Sequence, residues 1–163
     1  MKLIEFGSRH TFYDWFYRGD RSDNYPLVYL NYRHCWEEDT HIYRAVEKGK
    51  DIGIIFISCC YPGEMWIDLF EVRDGYHKKG IGTEMFNLLM ERHKPLHIKL
   101  ECVEEYDKNN QEAHKFWRKM GFHKTKDRTV LGDAFVKTYT KKYWKNYDKL
   151  LTLHTRRIGQ ETS

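Results

Sequence analysis

The sequence predicts an α/β domain in which strands and helices alternate. Three observations carry this. Residues 41–58, HIYRAVEKGKDIGIIFIS, hold two apolar, β-branched runs around a Gly-containing turn, as a β-hairpin does. A third such run, EMWIDLFEV, follows Pro62-Gly63. Beyond it lie two amphipathic helical stripes: Ile81, Met85, Leu88 and Leu89, then Ala113, Phe116, Trp117 and Met120.

From the N-terminus, Lys2 to Phe6 reads as a short strand. Thr11 to Arg18 reads as a helix, with Phe12, Trp15 and Phe16 at helical spacing. Residues 19–40 carry Tyr25, Tyr29, Tyr32 and Trp36 among polar residues, and helix and loop both fit them. The hairpin, with its turn at residues 47–51, and the EMWIDLFEV strand come next. A helix runs from Gly80 to His93, and Pro95 stops it. LHIKLECV is a strand. Asn109 to Met120 is a helix that Asn109 or Asn110 can cap, with Gly121 at its C-terminal end. Two strands flank Gly132-Asp133. Tyr143, Trp144, Tyr147, Leu150 and Leu151 mark a last helix before a polar tail. The expected organisation is one domain over residues 1–142 and a helical extension over residues 143–163.

The composition agrees with a folded domain. With 163 residues, 40% of them hydrophobic and 16% aromatic, the chain has ample material for one core. A formal net charge of +4 favours anionic partners, nucleotide cofactors included, without singling out nucleic acid. Cys35, Cys59, Cys60 and Cys102 form no CxxC pair, so neither a zinc site nor a disulfide framework is indicated. Cys59 and Cys60 are expected on opposite faces of a strand. The nine histidines include no HExxH pair, and no metal is predicted. MKLIEFGSRH lacks the apolar centre of a signal peptide, and no window has the roughly 18 apolar residues that span a membrane. A cytoplasmic setting is the expectation.

RDGYHKKGIGTEMF, residues 73–86, is the most informative stretch. Two glycines one residue apart let the backbone bend tightly. A helix that begins there directs its positive dipole end at the same point, and Lys78 and Lys79 add charge. The combination suits a phosphate. It is not a Walker A loop: Gly75 and Gly80 have the right separation, but Ile81 stands where lysine is required. It is not a dinucleotide fingerprint either, because Met85 replaces the third glycine.

What remains, an apolar strand ending in valine, a loop, GxG and a helix, resembles the GNAT superfamily of acetyl-CoA-dependent N-acetyltransferases. FEVRDGYHKKGIG, Phe70 to Gly82, is in register with its signature. A later element, Asn110, Ala113, Trp117, Gly121 and Phe122, is similar to its second motif. The resemblance covers residues 41–142. It implies a mixed, mostly antiparallel central sheet flanked by helices and splayed between the fourth and fifth strands. It also implies acetyl-CoA as co-substrate, an amine as acceptor, and transfer by direct attack in a ternary complex. By the same analogy Phe70, Glu71 and Val72 pair with the pantetheine arm. His77, Lys78, Lys79, Gly80, Ile81, Gly82 and Thr83 hold the pyrophosphate. Asn110 reaches the arm, and Trp117 packs near the sulfur. The aromatic segment from Phe12 to Trp36 lies where the family builds its acceptor pocket.

An amine must lose a proton before it attacks a thioester, and a carboxylate commonly takes it. Glu71 and Glu101, at the ends of the two splayed strands, are the candidates, with Asp68 third. Three departures stand out. His77 occupies the usual Gln/Arg position. Trp117 replaces the tyrosine that many members use to protonate the thiolate, and an indole N–H is no useful acid. EEYDK, residues 104–108, lengthens a connection; it either brings Tyr106 near the site or forms a surface loop. The absent tyrosine keeps open a second reading, a CoA- or partner-binding protein without acetyl transfer. Nucleic-acid binding by Lys141, Lys142, Lys145, Arg156 and Arg157 is disfavoured. The neighbouring aromatics share one helical stripe, which fits packing on the domain or on a second copy in a homodimer.

Overall fold

The computed structural model describes residues 1–19, 21–31, 39–102, 108–128 and 132–161. Its elements are β1 (Lys2–Glu5), α1 (Arg9–Arg18), a 3₁₀ turn (Ser22–Asn24), α2 (Pro26–Asn31), β2 (Thr40–Glu47), β3 (Lys50–Ser58) and β4 (Glu64–Val72). Then come α3 (Ile81–His93), β5 (His97–Cys102), α4 (Lys108–Lys119), β6 (His123–Arg128), β7 (Asp133–Thr138) and α5 (Lys141–Glu161).

Local chemistry sets the boundaries. α1 starts two residues before the expected Thr11 because Ser8 caps it. The Thr11 N–H donates to Ser8 Oγ at 3.2 Å, and the Ser8 N–H donates to Thr11 Oγ1 at 3.1 Å. The β2–β3 turn is tighter than expected, with only Lys48 and Gly49 between the strands. Both have positive φ, 49° and 77°, as a two-residue turn demands. α3 ends on left-handed Lys94, whose N–H returns to the Met90 carbonyl, and Pro95 prevents continuation.

The seven strands lie in the order β1-β2-β3-β4-β5-β7-β6. Only β4 and β5 are parallel; every other neighbouring pair is antiparallel. This is the mixed, mostly antiparallel sheet that the resemblance implied. One face carries α3, α4 and the start of α5: Met85, Phe86, Leu89, Trp117 and Trp144 pack on Ile55, Ile57, Ile67, Ile98, Leu100 and Phe135. The other carries α1 and α2: Phe12, Phe16, Tyr25 and Val28 pack on Ile42, Ile54, Phe56 and Leu69. α5 begins at Lys141, and buried Trp144 ties it down through an indole N–H to the Pro95 carbonyl at 2.8 Å.

A β-bulge in β4 matters most for the site. Phe56 pairs with Leu69, but the next residue, Ile57, pairs with Ile67, so Asp68 is the extra residue. A bulge reverses the alternation of side chains beyond it. Met65 and Ile67 face the α3/α4 core. Past the bulge, Leu69 joins the α1/α2 core while Phe70 and Val72 take the α3/α4 side. Cys59 and Cys60 do not alternate across a strand as expected. β3 ends at Ser58, so both sit in the loop that Pro62-Gly63 turns into β4.

Candidate active site

Pairing between β4 and β5 runs from Glu64 opposite His97 to Ile67 opposite Leu100 and stops there. β4 continues to Val72, and β5 continues to Cys102. The strands part just where Asp68 bulges. β3 holds one edge of residues 69–72, and no strand among the described residues takes the other. That edge offers backbone N–H and C=O groups to an extended ligand.

β4 leads into the glycine loop and α3. The loop has three left-handed positions, Gly75 at φ 79°, Lys78 at φ 62° and Gly80 at φ 78°. Gly80 is the N-cap of α3 and has no side chain to bond the first-turn amides. A Cβ placed on Gly80 would meet no atom within 4 Å, so the helix start faces open space. His77, Lys78 and Lys79 are exposed around it. Lys79 Nζ donates to the Gly75 carbonyl at 3.1 Å and lies 5.2 Å from the Tyr76 ring centre. Ile81 is buried, so it can serve a ligand through its backbone alone. Thr83 is half-buried in the first turn.

Gly82 has a different task from Gly80. It is not left-handed. A Cβ there would lie 3.2 Å from the Phe116 ring and 3.6 Å from Val72 Cγ2. Its smallness lets α4 approach α3 and the end of β4. Phe116 was not foreseen in this role; its position beside Trp117 on the α4 stripe was the available signal. Phe70, Phe116 and Trp117 form a ring cluster with centres 4.9 to 5.6 Å apart. Trp117 is only 6% exposed and also touches Phe86 and Phe122, so its indole belongs to the core beside the splay.

The two glutamates share the α1/α2 face of the sheet. Leu100 and Cys102 lie in the α3/α4 core, so Glu101 between them projects to the other side, half-buried. Glu71 points the same way because of the bulge. It is 6% exposed, and both carboxylate oxygens are engaged: Oε1 accepts the Leu27 N–H at 2.9 Å and Oε2 the Val28 N–H at 3.0 Å. Burial pushes its pKa up to about 7, although these two N–H groups pull the other way. The sequence left residues 19–40 open between helix and loop; the structure makes Pro26–Asn31 a helix, with Pro26 at its first position as the available signal. Asp68 is exposed and accepts the Ser58 hydroxyl. The side chain of Asn110, together with Val103 and Tyr106, lies outside the described residues.

Among the described residues no cluster of three His, Cys, Asp or Glu side chains is placed to hold a metal. No described helix is long and apolar enough to cross a membrane. A recess of about 360 Å³ lined by Cys59, Cys60, Met65 and His93 lies at the far end of β4, away from the splay.

A family model for the GNAT acetyltransferases matches residues 9–122. The chain belongs to the GNAT family. Among solved structures, a GNAT-family acetyltransferase from Bacteroides thetaiotaomicron is similar over 93% of this chain and 97% of its own, at 15% identity and a TM-score of 0.63. The PaiA N-acetyltransferase from Thermoplasma acidophilum, solved with coenzyme A, covers 85% of this chain and 100% of its own, at 16% identity and a TM-score of 0.56. The ribosomal-protein-S18-alanine N-acetyltransferase from Escherichia coli covers 82% and 90%, at 14% identity and a TM-score of 0.56. No curated protein matches the sequence. This GNAT protein is therefore an acyltransferase, of a family that transfers acetyl groups from acetyl-CoA. The site fits that cofactor: a strand edge that no described strand pairs suits an amide-bearing arm, and a helix start with no side-chain cap, open to space, suits a pyrophosphate.

Proposed function

We propose that this protein acetylates a primary amine, which attacks acetyl-CoA directly within a ternary complex. The observation that carries the reading is the end of β4–β5 pairing at Ile67 and Leu100, beside the uncapped start of α3. Backbone groups of Phe70, Glu71 and Val72 hold the pantetheine arm, and one N–H there polarises the thioester carbonyl. Residues His77 to Thr83 hold the pyrophosphate, helped by the α3 dipole and by Lys78 and Lys79. Asn110 belongs to the same set by family analogy.

The amine enters from the α1/α2 face, where Glu71 and Glu101 project. An amine of lysine type has a pKa near ~10.4, so its proton must be removed. Glu101 is the base. Glu71 keeps both oxygens on backbone N–H groups and has other work. The amine nitrogen forms the new bond to the acetyl carbon, and the carbon–sulfur bond breaks. The thiolate leaves and takes a proton from water, since a thiol pKa near ~8.5 makes it a competent leaving group. No protein acid is required, which accommodates Trp117.

The same tryptophan favours a second reading, a cofactor-binding protein that transfers nothing, because the buried indole supplies no acid. One experiment separates the two. The protein is first titrated with CoA in a thermal-shift assay and then given acetyl-CoA with a panel of amines, following free thiol. At a hundred times its Kd the cofactor should add about 2.7 kcal/mol of stability. Stabilisation with thiol release supports transfer. Stabilisation with no amine consumed supports the second reading, and no stabilisation in a folded sample overturns both.

A further inference from the structure

We infer that Glu71 is a latch: its carboxylate seats α2 on the end of β4, and the seating of α2 shapes the acceptor side of the splay. The inference rests on the reading above for the side from which the amine enters.

α2 has six residues, too few to be stable alone. The first amides of any helix have no partner within it. Here Pro26 has no N–H, and the Leu27 and Val28 N–H groups both end on Glu71. The carboxylate of one strand residue thus satisfies the start of a helix more than 40 residues away in sequence. Val28 and Tyr25 are wholly buried against Ile54, Phe56 and Leu69 beside this anchor. Two further bonds fasten the same segment: the Asp74 N–H to the Asn24 carbonyl at 3.2 Å, and Arg73 Nε to Asn24 Oδ1 at 3.2 Å. Residues 71–74 therefore hold the α2 segment and lead directly into the phosphate loop.

The charged and titratable groups around the latch leave Glu71 to control its own charge. Tyr25 precedes α2, and burial raises its phenol well above the usual range, so it stays neutral. Asp51 of β3 is engaged by Arg44 at 3.2 Å, by Arg21 at 3.6 Å and by the Trp15 indole at 3.0 Å. Arg73 donates to the Asp51 carbonyl at 3.2 Å. Glu101 stands across the opening. Among the described residues no ion pair reaches Glu71. When ionised it makes two charge-assisted bonds to α2. When protonated, one oxygen becomes a poor acceptor, and α2 keeps one strong bond. The seat of α2 then changes as Glu71 titrates.

The test uses the full chain labelled with ¹⁵N. The Leu27 and Val28 amide signals should titrate together, with one midpoint near neutrality, and Glu71→Gln should abolish the titration. The Gln amide nitrogen donates and cannot accept, so one N–H always faces a donor. With the best acceptor from the amine panel, Glu71→Gln should raise KM for the amine roughly fivefold, the equivalent of one lost hydrogen bond. kcat and CoA affinity should change much less, and Glu71→Asp should restore part of the loss. The inference is overturned if neither amide titrates between about pH 5.5 and pH 8.5. It is also overturned if Glu71→Gln lowers kcat with KM unchanged, which would make Glu71 the base. If no amine is acetylated, the reaction reading fails while the amide titration still decides the latch. If the variant does not fold, the titration of the parent decides it.

Discussion

Glu101 and Tyr25 show how much one side chain's surroundings decide. Glu101 projects half-buried from β5 just past the end of β4–β5 pairing, where the proposed reaction calls for a base. Glu101→Gln should lower kcat/KM for the amine by about 10² to 10⁴, the usual worth of a general base. Raising the pH should recover part of the loss, because free amine then forms without help. A steady-state pH profile checks both; a loss below tenfold would remove Glu101 from the mechanism. Tyr25 is the reverse case. Its ring is 1% exposed, and its hydroxyl has no hydrogen-bond partner among the described residues. A buried polar group without a partner costs about 1 to 3 kcal/mol. Tyr25→Phe should therefore leave stability unchanged or raise it, as urea unfolding would show. A loss of more than about 1 kcal/mol would reveal a partner for the hydroxyl.

At the scale of an element, the start of α3 separates two glycines that look equivalent in the sequence. Gly80 supplies a left-handed φ of 78° in open space. Gly80→Ala adds no clash, so its cost should be the strain alone, about 1 to 2 kcal/mol. Gly82 supplies room for Phe116 at 3.2 Å from its Cβ position. Gly82→Val should crowd Phe116 and Val72, costing roughly 1 to 3 kcal/mol of overpacking and weakening CoA binding with it. A side chain at Gly82 therefore meets the Phe116 ring directly, whatever the loop binds. Combining the valine with Phe116→Ala separates the two, since the smaller partner should return most of the stability. Unfolding midpoints of the single and double variants measure it.

For the whole molecule, Glu71 ties stability to pH. Its pKa rises on folding from 4.5 to about 7, so the folded state holds the proton more tightly than the unfolded chain does. This contribution is fully present below the unfolded value and is lost as pH rises through the folded one. It amounts to something on the order of 3 kcal/mol. Between pH 4.5 and pH 7 the parent should therefore lose stability relative to Glu71→Gln, which has no proton there to lose. Denaturant unfolding of both proteins across that window checks the sign; parallel curves would mean that the carboxyl titrates normally.

Much of the fold was legible because it is written in local periods. Alternation placed the hairpin and β4, and helical spacing with Pro95 and Gly121 placed α3 and α4 within a residue or two. The glycine loop was legible for the same reason, since backbone bending and helix dipoles act over a few neighbouring residues. By itself the sequence determined these elements, their order and a glycine turn at the start of α3 whose chemistry suits a phosphate. Tertiary structure decided the rest. The Asp68 bulge exists only as a mismatch between the registers of two strands, so no single strand could announce it. That bulge turned Glu71 toward α2 instead of toward the α3/α4 core. A six-residue helix has too little period of its own to be recognised, and it persists because a distant carboxylate satisfies its first amides. Burial, which moves the pKa of that carboxylate, belongs to no residue until the chain has packed around it.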